Sequence, residues 1–525
     1  MTSADPRAPG EGQRSRWPVR AAYAYLALPA ALFLGGWLKW WWLVMALLAL
    51  GVGFWRMWAQ APKLWVPSPG RRAAWVGAAV GAILAAGVVF SGIGGISYQH
   101  FDHNWRNAIF EMLVAEPWPV VIPSPAGEIA LTYYFAYWLP AALVGKAFGM
   151  AWGWAALLAW TWLGLALFAC LALCLVKRLA VWPVAVFAVF GGMDLVQKAI
   201  LGTLGDFTSE RSFEWVDSTS LYAYTAFGDQ LGSVFNQAIP AWILTALIFA
   251  QRDSRSVVAL CAVAAIQCPL PALGAAVIAL AWLITLPRPG PQGAPARAWA
   301  RLRATALEAL TPQNLILAGL CLPVFGSFFA ANLNQAALTA QIPQTWADWA
   351  RLAVFWVFEF GLMFALVGAR CRATPVWWAA LAIMLVLPLM RFGLANDLAM
   401  RAVIPAQVAL YLMVCWTLAA AKHPLRSLQA AALVAVLALG TGSVLHKAVL
   451  RGEADLRAVK MVVDGQGWRA ARDSLTRRLP VSWREDPTAQ EGVWRQYFGD
   501  PDSFFYRTLS RAAKPSPSPP HQYPG

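Results

Sequence analysis

Apolar runs long enough to cross a bilayer recur along this chain from residue 21 to residue 446. A helix needs about 20 mostly apolar residues to span about 30 Å of hydrocarbon. The stretch Leu165–Val176 extends an apolar run from Ala151 and contains no charged residue, and Ala431–Leu445 is nearly as clean. A single soluble core does not account for so many runs. The expected fold is all-α, a polytopic membrane helix bundle of about 12–14 transmembrane helices. Residues 1–20 are expected to form a disordered cytoplasmic tail, 21–446 the bundle, and 447–525 an extramembrane tail whose last ten or so residues are disordered.

Charged residues make up only 13% of the chain, against about 25% in soluble domains. The net charge of +15 would raise nucleic acid as a partner in a soluble protein. Here much of the excess lies in short loops between apolar runs, which the positive-inside rule explains, so nucleic acid is set aside. The seven cysteines lie in or beside apolar segments and form no CxxC pair, so they read as small buried hydrophobes.

Fourteen segments carry the spanning signal: about 21–37, 41–58, 73–93, 128–147, 150–176, 181–196, 238–251, 256–268, 270–286, 313–331, 349–368, 374–390, 402–421 and 427–446. Basic residues cluster before the first (Arg14, Arg16, Arg20), after the second (Arg56, Lys63, Arg71, Arg72), and at Arg252/Arg255, 288–303, Arg370/Arg372 and Lys422/Arg426. These loops are expected in the cytoplasm. The polar segments 94–127, 194–237, 332–348 and 391–401, with the C-terminal tail, then fall on the outer face. Lys177 and Arg178 conflict with this, unless one segment between 128 and 196 is half-length or re-entrant.

The polar residues a membrane tolerates are where function is sought. In the first outer segment, Trp105, Ile109 and Met112 recur at helical spacing behind Asp102, with Asn107 and Glu111 opposite and Arg106 on the flank. That pattern predicts a short amphipathic helix on the membrane surface, with Asp102 near its start as a candidate catalytic carboxylate or a simple N-cap. His103, Asn104 and Arg106 are candidate substrate ligands. Asp206, Glu210, Glu214 and Asp217 would share a helix face, so a divalent cation is a candidate cofactor; Asp217 is the second catalytic candidate. Asp194 ends an apolar run and would be costly to bury, and Asn236 closes the same segment. Glu359 stands alone in an apolar stretch, with Arg351 as its expected partner.

Segment 391–401 holds Arg391, Asn396, Asp397 and Arg401. Two arginines at the outer mouth oppose the charge rule, and a guanidinium fork suits phosphate. Asp397, four residues before Arg401, is a local ion-pair partner, which leaves Arg391 free.

Past Pro119, Pro123 and Pro125 come Leu131–Pro140, with its Tyr133–Tyr134 pair, and the turn Lys146–Ala147–Phe148–Gly149. An acid beyond an early span, an amphipathic helix and a Tyr-Tyr segment closing on Lys-x-Phe-Gly together resemble the GT-C superfamily over about 95–195. Those are polytopic glycosyltransferases that use polyprenyl-phosphate-linked sugars. The resemblance implies Asp102 at an outer-face active site, a late arginine on the lipid phosphate, direct inverting transfer to an acceptor, and a bacterial inner (plasma) membrane location. The chain departs from the family in placing its acid after the third apolar segment and in following it with His103. The alternatives are a transporter or lipid flippase, for which Pro269–Leu270–Pro271 between two short segments is the best feature, and a non-catalytic envelope scaffold.

Overall fold

A computed structural model describes residues 12–124, 127–204, 222–286, 294–334, 336–393, 396–421, 427–478 and 493–513. The chain is an all-α bundle with two small strand pairs and one three-stranded sheet among the described residues. The short strand β1 (Gly12–Ser15) leads into α1 (Trp17–Trp37) and α2 (Trp40–Ala59). Strand β2 (Leu64–Pro67) pairs antiparallel with β1, and α3 (Arg71–Phe90) follows. Then come α4 (His103–Ala115), the hairpin β3 (Val121–Ser124) and β4 (Gly127–Leu131), α5 (Leu139–Phe148) and α6 (Met150–Val176). Next are α7 (Trp182–Ala188), α8 (Asp194–Leu201), α9 (Phe227–Ser233), α10 (Phe235–Ala250), α11 (Val257–Ala264), α12 (Pro269–Thr285), α13 (Ala294–Ala309) and α14 (Pro312–Ala330). Strand β5 (Thr339–Ala340) precedes α15 (Trp346–Trp356), which runs through a π-helical turn, Val357–Gly361, into α16 (Leu362–Cys371). Last are α17 (Pro375–Val386), β6 (Met390–Arg391), α18 (Asp397–Ala402), α19 (Ile404–Ala420), α20 (Leu428–Val463), α21 (Trp468–Leu475) and β7 (Phe498–Gly499).

Eight helices among the described residues are long and apolar enough to cross a membrane, and three shorter apolar helices accompany them. The chain is therefore a membrane protein. Three of the fourteen sequence segments are built differently. Segment 128–147 is not one helix: it starts in β4, and α5 has only ten residues, about 15 Å or half a bilayer. Pro140 starts α5, and Gly149, at φ +96°, turns the chain straight back into α6. The hairpin is tight: a Cβ on Gly145 would lie 3.3 Å from Gly153 Cα and 2.8 Å from Val114. Segment 181–196 breaks at Gly191–Gly192 between α7 and α8, and 256–268 yields only the eight-residue α11.

Those half-length pieces remove the conflict at Lys177 and Arg178. Arg178 donates to Ala419 O at 3.0 Å, and Trp416 Nε1 donates to Leu175 O, so α6 and α19 end together. Trp416 packs on Phe249 at the end of α10, and Gln251 joins Tyr23 near the start of α1. Arg20 bonds Trp58 O, while Gln313 bridges Gln60 and Arg255 O. Arg20, Arg178 and Arg255 thus lie at one end of the bundle.

At the opposite end the C-terminal tail packs on the first polar segment and on the end of α14. Helix α20 has 36 residues, about 54 Å, and overshoots the bundle. Beyond it Arg477 bonds Gln99, β7 pairs with β4, and Arg511 N reaches Trp37 O. Helix α4 is not a surface float as its amphipathic pattern suggested. Ile109, Phe110 and Leu113 are buried, and so are Arg106 and Asn107, because the tail closes over what would be its wet side.

Candidate functional site

Asp102 occupies the N-cap position of α4 but makes no capping hydrogen bond with its side chain. The carboxylate faces charges instead. Arg106 Nη2 donates to Oδ2 at 3.3 Å, with Nη1 at 3.2 Å, and His100 Nδ1 lies 3.7 Å away. The four-residue spacing of a helix places Arg106 there directly. Arg401, 299 positions later in the chain, also acts on Asp102. Burial by itself would raise the Asp102 carboxyl, but Arg106, His100 and Arg401 outweigh it and hold it well below the usual carboxylate range.

Arg401 is buried at the last turn of α18, where Asp397 accepts its Nη2 at 2.5 Å. Its guanidinium sits 5.8 Å from the Tyr134 ring centre. Nε and Nη1 have no hydrogen-bond partner, nor does Arg106 Nε or Asn396 Nδ2. Buried N–H groups without acceptors are rare and costly, and Arg106 and Arg401, the two guanidiniums whose charge acts on Asp102, both carry them. The walls are aromatic. Tyr133 lies 3.7 Å from Tyr134 and 5.0 Å from Tyr497, which stacks on Trp105 at 4.5 Å. Burial keeps the phenols of Tyr133, Tyr134 and Tyr497 neutral, so each retains a proton to donate.

The structure brings Asp102, Arg106, Asp397 and Arg401 into this one cluster, and Asn236 borders it by donating to Tyr134 O at 3.3 Å. Asn396 turns the chain in the left-handed region (φ 55°) ahead of α18, and its Oδ1 accepts from Phe392 N. His103 has a fixed partner: its Nε2 meets Gly232 O at 2.8 Å, tying α4 to α9. Burial and then Arg106 drive its pKa down to about 3, so the ring is neutral. Asn104 is half-buried in the first turn of α4. Arg391, unlike Arg401, is exposed on β6, where its backbone pairs with Thr339. Asp217, with Asp206, Glu210 and Glu214, lies outside the described residues. Among the described residues no three His, Cys, Asp or Glu side chains gather to hold a metal.

Asp194 belongs elsewhere. Its side chain meets Glu359 and Ser443 and feels the charge of Lys447; Asp102 is not among its neighbours. Arg351 does not neutralise Glu359; it pairs with Asp348 three residues before it. Gln197 meets Glu359 instead, at 2.8 Å. A cavity of about 720 Å³ lies on the far side of α4, with Asn107, Glu111, Trp154, Trp468, Arg472 and Arg477 in its lining. Neither Asp102 nor Arg401 lines it.

Sequence reasoning missed Tyr497 and Trp105 as walls of the site. Tyr497 comes from the tail, held by Thr132 N donating to its carbonyl at 2.9 Å. Its only sequence signal is the aromatic run Trp494–Phe498 in an otherwise charged segment. Compared with family models, curated proteins and solved structures, the chain has no match in any of the three.

Proposed function

We propose that this protein is a membrane-embedded glycosyltransferase that moves a sugar from a polyprenyl-phosphate carrier to an acceptor on the outer face of a bacterial inner membrane. The observation that carries the reading is the meeting of Asp102 and Arg401, with unsatisfied guanidinium N–H groups, inside a wall of tyrosines at the bundle end opposite the basic loops. Anionic phosphate oxygens are the acceptors those N–H groups lack. Arg106 takes the place beside Arg401 that the sequence pattern had given to Arg391. Aromatic faces and phenol donors suit a sugar, which offers both C–H surfaces and hydroxyls.

The reaction is a displacement. The acceptor oxygen bonds to the anomeric carbon, the bond from that carbon to the phosphate oxygen breaks, and the electron pair leaves on the phosphate. The guanidinium of Arg401 meets that growing charge. Asp102, held ionised by its cationic neighbours, orients the acceptor hydroxyl and steadies positive charge at the anomeric carbon. A carboxylate so strongly stabilised is a weak base, so geometry and electrostatics do most of the catalysis. The acceptor proton passes to the phosphate leaving group or to water.

A second reading, a transporter or flippase, is favoured by the broken α7–α8 and by the pairing of half-buried Asp194 with buried Glu359. Purified protein in proteoliposomes, supplied with a radiolabelled polyprenyl-phosphate sugar, separates the two. Transfer to an acceptor lost in Asp102→Asn supports the enzyme. Vectorial movement of the intact donor, insensitive to Asp102→Asn, supports the transporter.

A further inference from the structure

A second buried polar group lies apart from the proposed transfer site, where α8, the π-helical turn and α20 meet. Glu359 sits in that turn and is 3% exposed. π-helical turns inside long helices concentrate at functional positions, because the extra residue costs backbone regularity. Asp194, half-buried at the start of α8, makes a side-chain hydrogen bond with Glu359. The backbone is shaped around this pair. A Cβ on Gly192 would stand 2.0 Å from a Glu359 oxygen, and one on Gly440 would stand 2.9 Å from Gly191 O. Only glycine lets the break between α7 and α8 press this close to both partners.

Two oxygen donors complete the group. Gln197 is fully buried; its Nε2 donates to Glu359 Oε2 at 2.8 Å, while its Oε1 has no hydrogen-bond partner. Ser443, 1% exposed on α20, stands beside Asp194 without a well-formed hydrogen bond from its Oγ. Lys447, one turn further on, reaches the same region, but its ammonium is 2.9 Å from Asp229. Two carboxylates this close in a low-dielectric setting cannot both carry a bare charge. Donors that are all oxygen, from carboxylates, an amide and a hydroxyl, select a small hard cation.

We propose that the Asp194–Glu359 pair, with Gln197 and Ser443, binds one small monovalent cation, either a proton or Na⁺, between its carboxyl groups. Asp194 supplies the accessible side through which the ion comes and goes. Occupancy draws α8 and the π-helical turn onto α20. Through Lys447–Asp229 it also steadies α9, whose Gly232 holds His103. The inference stands independently of the transferase reading.

The test is thermal unfolding of the purified full-length protein in detergent. In one arm sodium chloride replaces choline chloride at constant ionic strength and alkaline pH. In the other, pH is raised from about 6 to about 9 without sodium. Other charged or ionisable groups act on the pair or sit on the elements packed around it: Lys447, Arg451 and His446 on α20, Asp229 on α9, Tyr224 before it, and Lys198 on α8 itself. The readout is therefore the difference between wild type and Glu359→Gln, with Asp194→Asn as a second variant should the first not fold. A sodium-dependent rise in Tm of about 2 °C or more in wild type, absent in the variants, identifies Na⁺. No sodium effect, but a fall in Tm with rising pH that the variants flatten, identifies the proton. A wild-type Tm indifferent to both, or responses unchanged in both variants, overturns the proposal.

Discussion

Asp102 is charged because of its neighbours rather than its exposure, and that has consequences for pH and for substitution. Its folded pKa is depressed, so the stabilisation it draws from Arg106 and Arg401 is fully present above the ordinary carboxylate range. It is lost only as pH falls through the lower folded value. A pH–rate profile of transfer should then show no limb from Asp102 between about pH 5 and about pH 8. An acidic limb near neutrality that vanishes in Asp102→Asn would contradict the ionised role. Asp102→Asn itself should lower kcat by about 10²–10³ while expression and folding persist, as expected for a lost electrostatic contact. Activity within about threefold of wild type reduces Asp102 to a structural partner of Arg106. Asp397 has a different duty. Its removal leaves Arg401 buried without its closest counter-charge, so Asp397→Ala should destabilise by about 3–5 kcal/mol, read as a large fall in Tm. An unchanged Tm would show that Arg401 finds another anion.

At the scale of elements, the long helices were legible because apolar length is a local property. The bounds of the 150–176 segment match α6 itself. The half-length pieces were harder. Segment 128–147 is apolar enough to be read as a span, yet its first residues join β3 and β7 in a sheet, and Pro140 and Gly149 confine α5 to ten residues. Which apolar segment stops halfway depends on partners distant in sequence. The tail was the least legible. Its composition marks it only as extramembrane, and nothing in its spacing reveals that Tyr497 stacks on Trp105. The site shows the same division. Asp102 and Arg401 each stood out as charges where membrane rules disfavour them, but their meeting, and the exposure of Arg391, are tertiary facts. If β7 and its flanks roof the site, Tyr497→Ala should reduce transfer by about 2–10-fold through the lost stack, and Tyr497→Phe should retain it. Equal losses in both would assign the effect to the hydroxyl instead of the ring.

For the whole molecule, the shared ends of α6, α10 and α19 fix which loops lie together. Single cysteines placed at Lys177 and Arg255 should react with a membrane-impermeant maleimide from the same side. A cysteine at Asp500, whose N–H bonds Ala331 O at the far end of α14, should react from the other. Labelling of Lys177→Cys together with Asp500→Cys would mean that α6 does not cross as described, and would separate the basic face from the proposed site face. The two polar groups also divide the molecule: one at the bundle end beneath the tail, the other among α8, the π-helical turn and α20. An enzyme needs the first and can be regulated by the second; a transporter needs the second as its path.

The most direct measurement is sugar transfer from a synthetic polyprenyl-phosphate donor by the purified protein, comparing Arg401→Lys with Arg391→Lys. Arg401 is buried beside Asp102 with unsatisfied N–H groups, and a lysine there supplies a point charge without the fork. The account predicts weakened donor binding, seen as a raised KM, together with lower kcat in Arg401→Lys, and near wild-type transfer in Arg391→Lys. Equal activity of the two variants, or no transfer by the wild type from any polyprenyl-phosphate sugar, would contradict it.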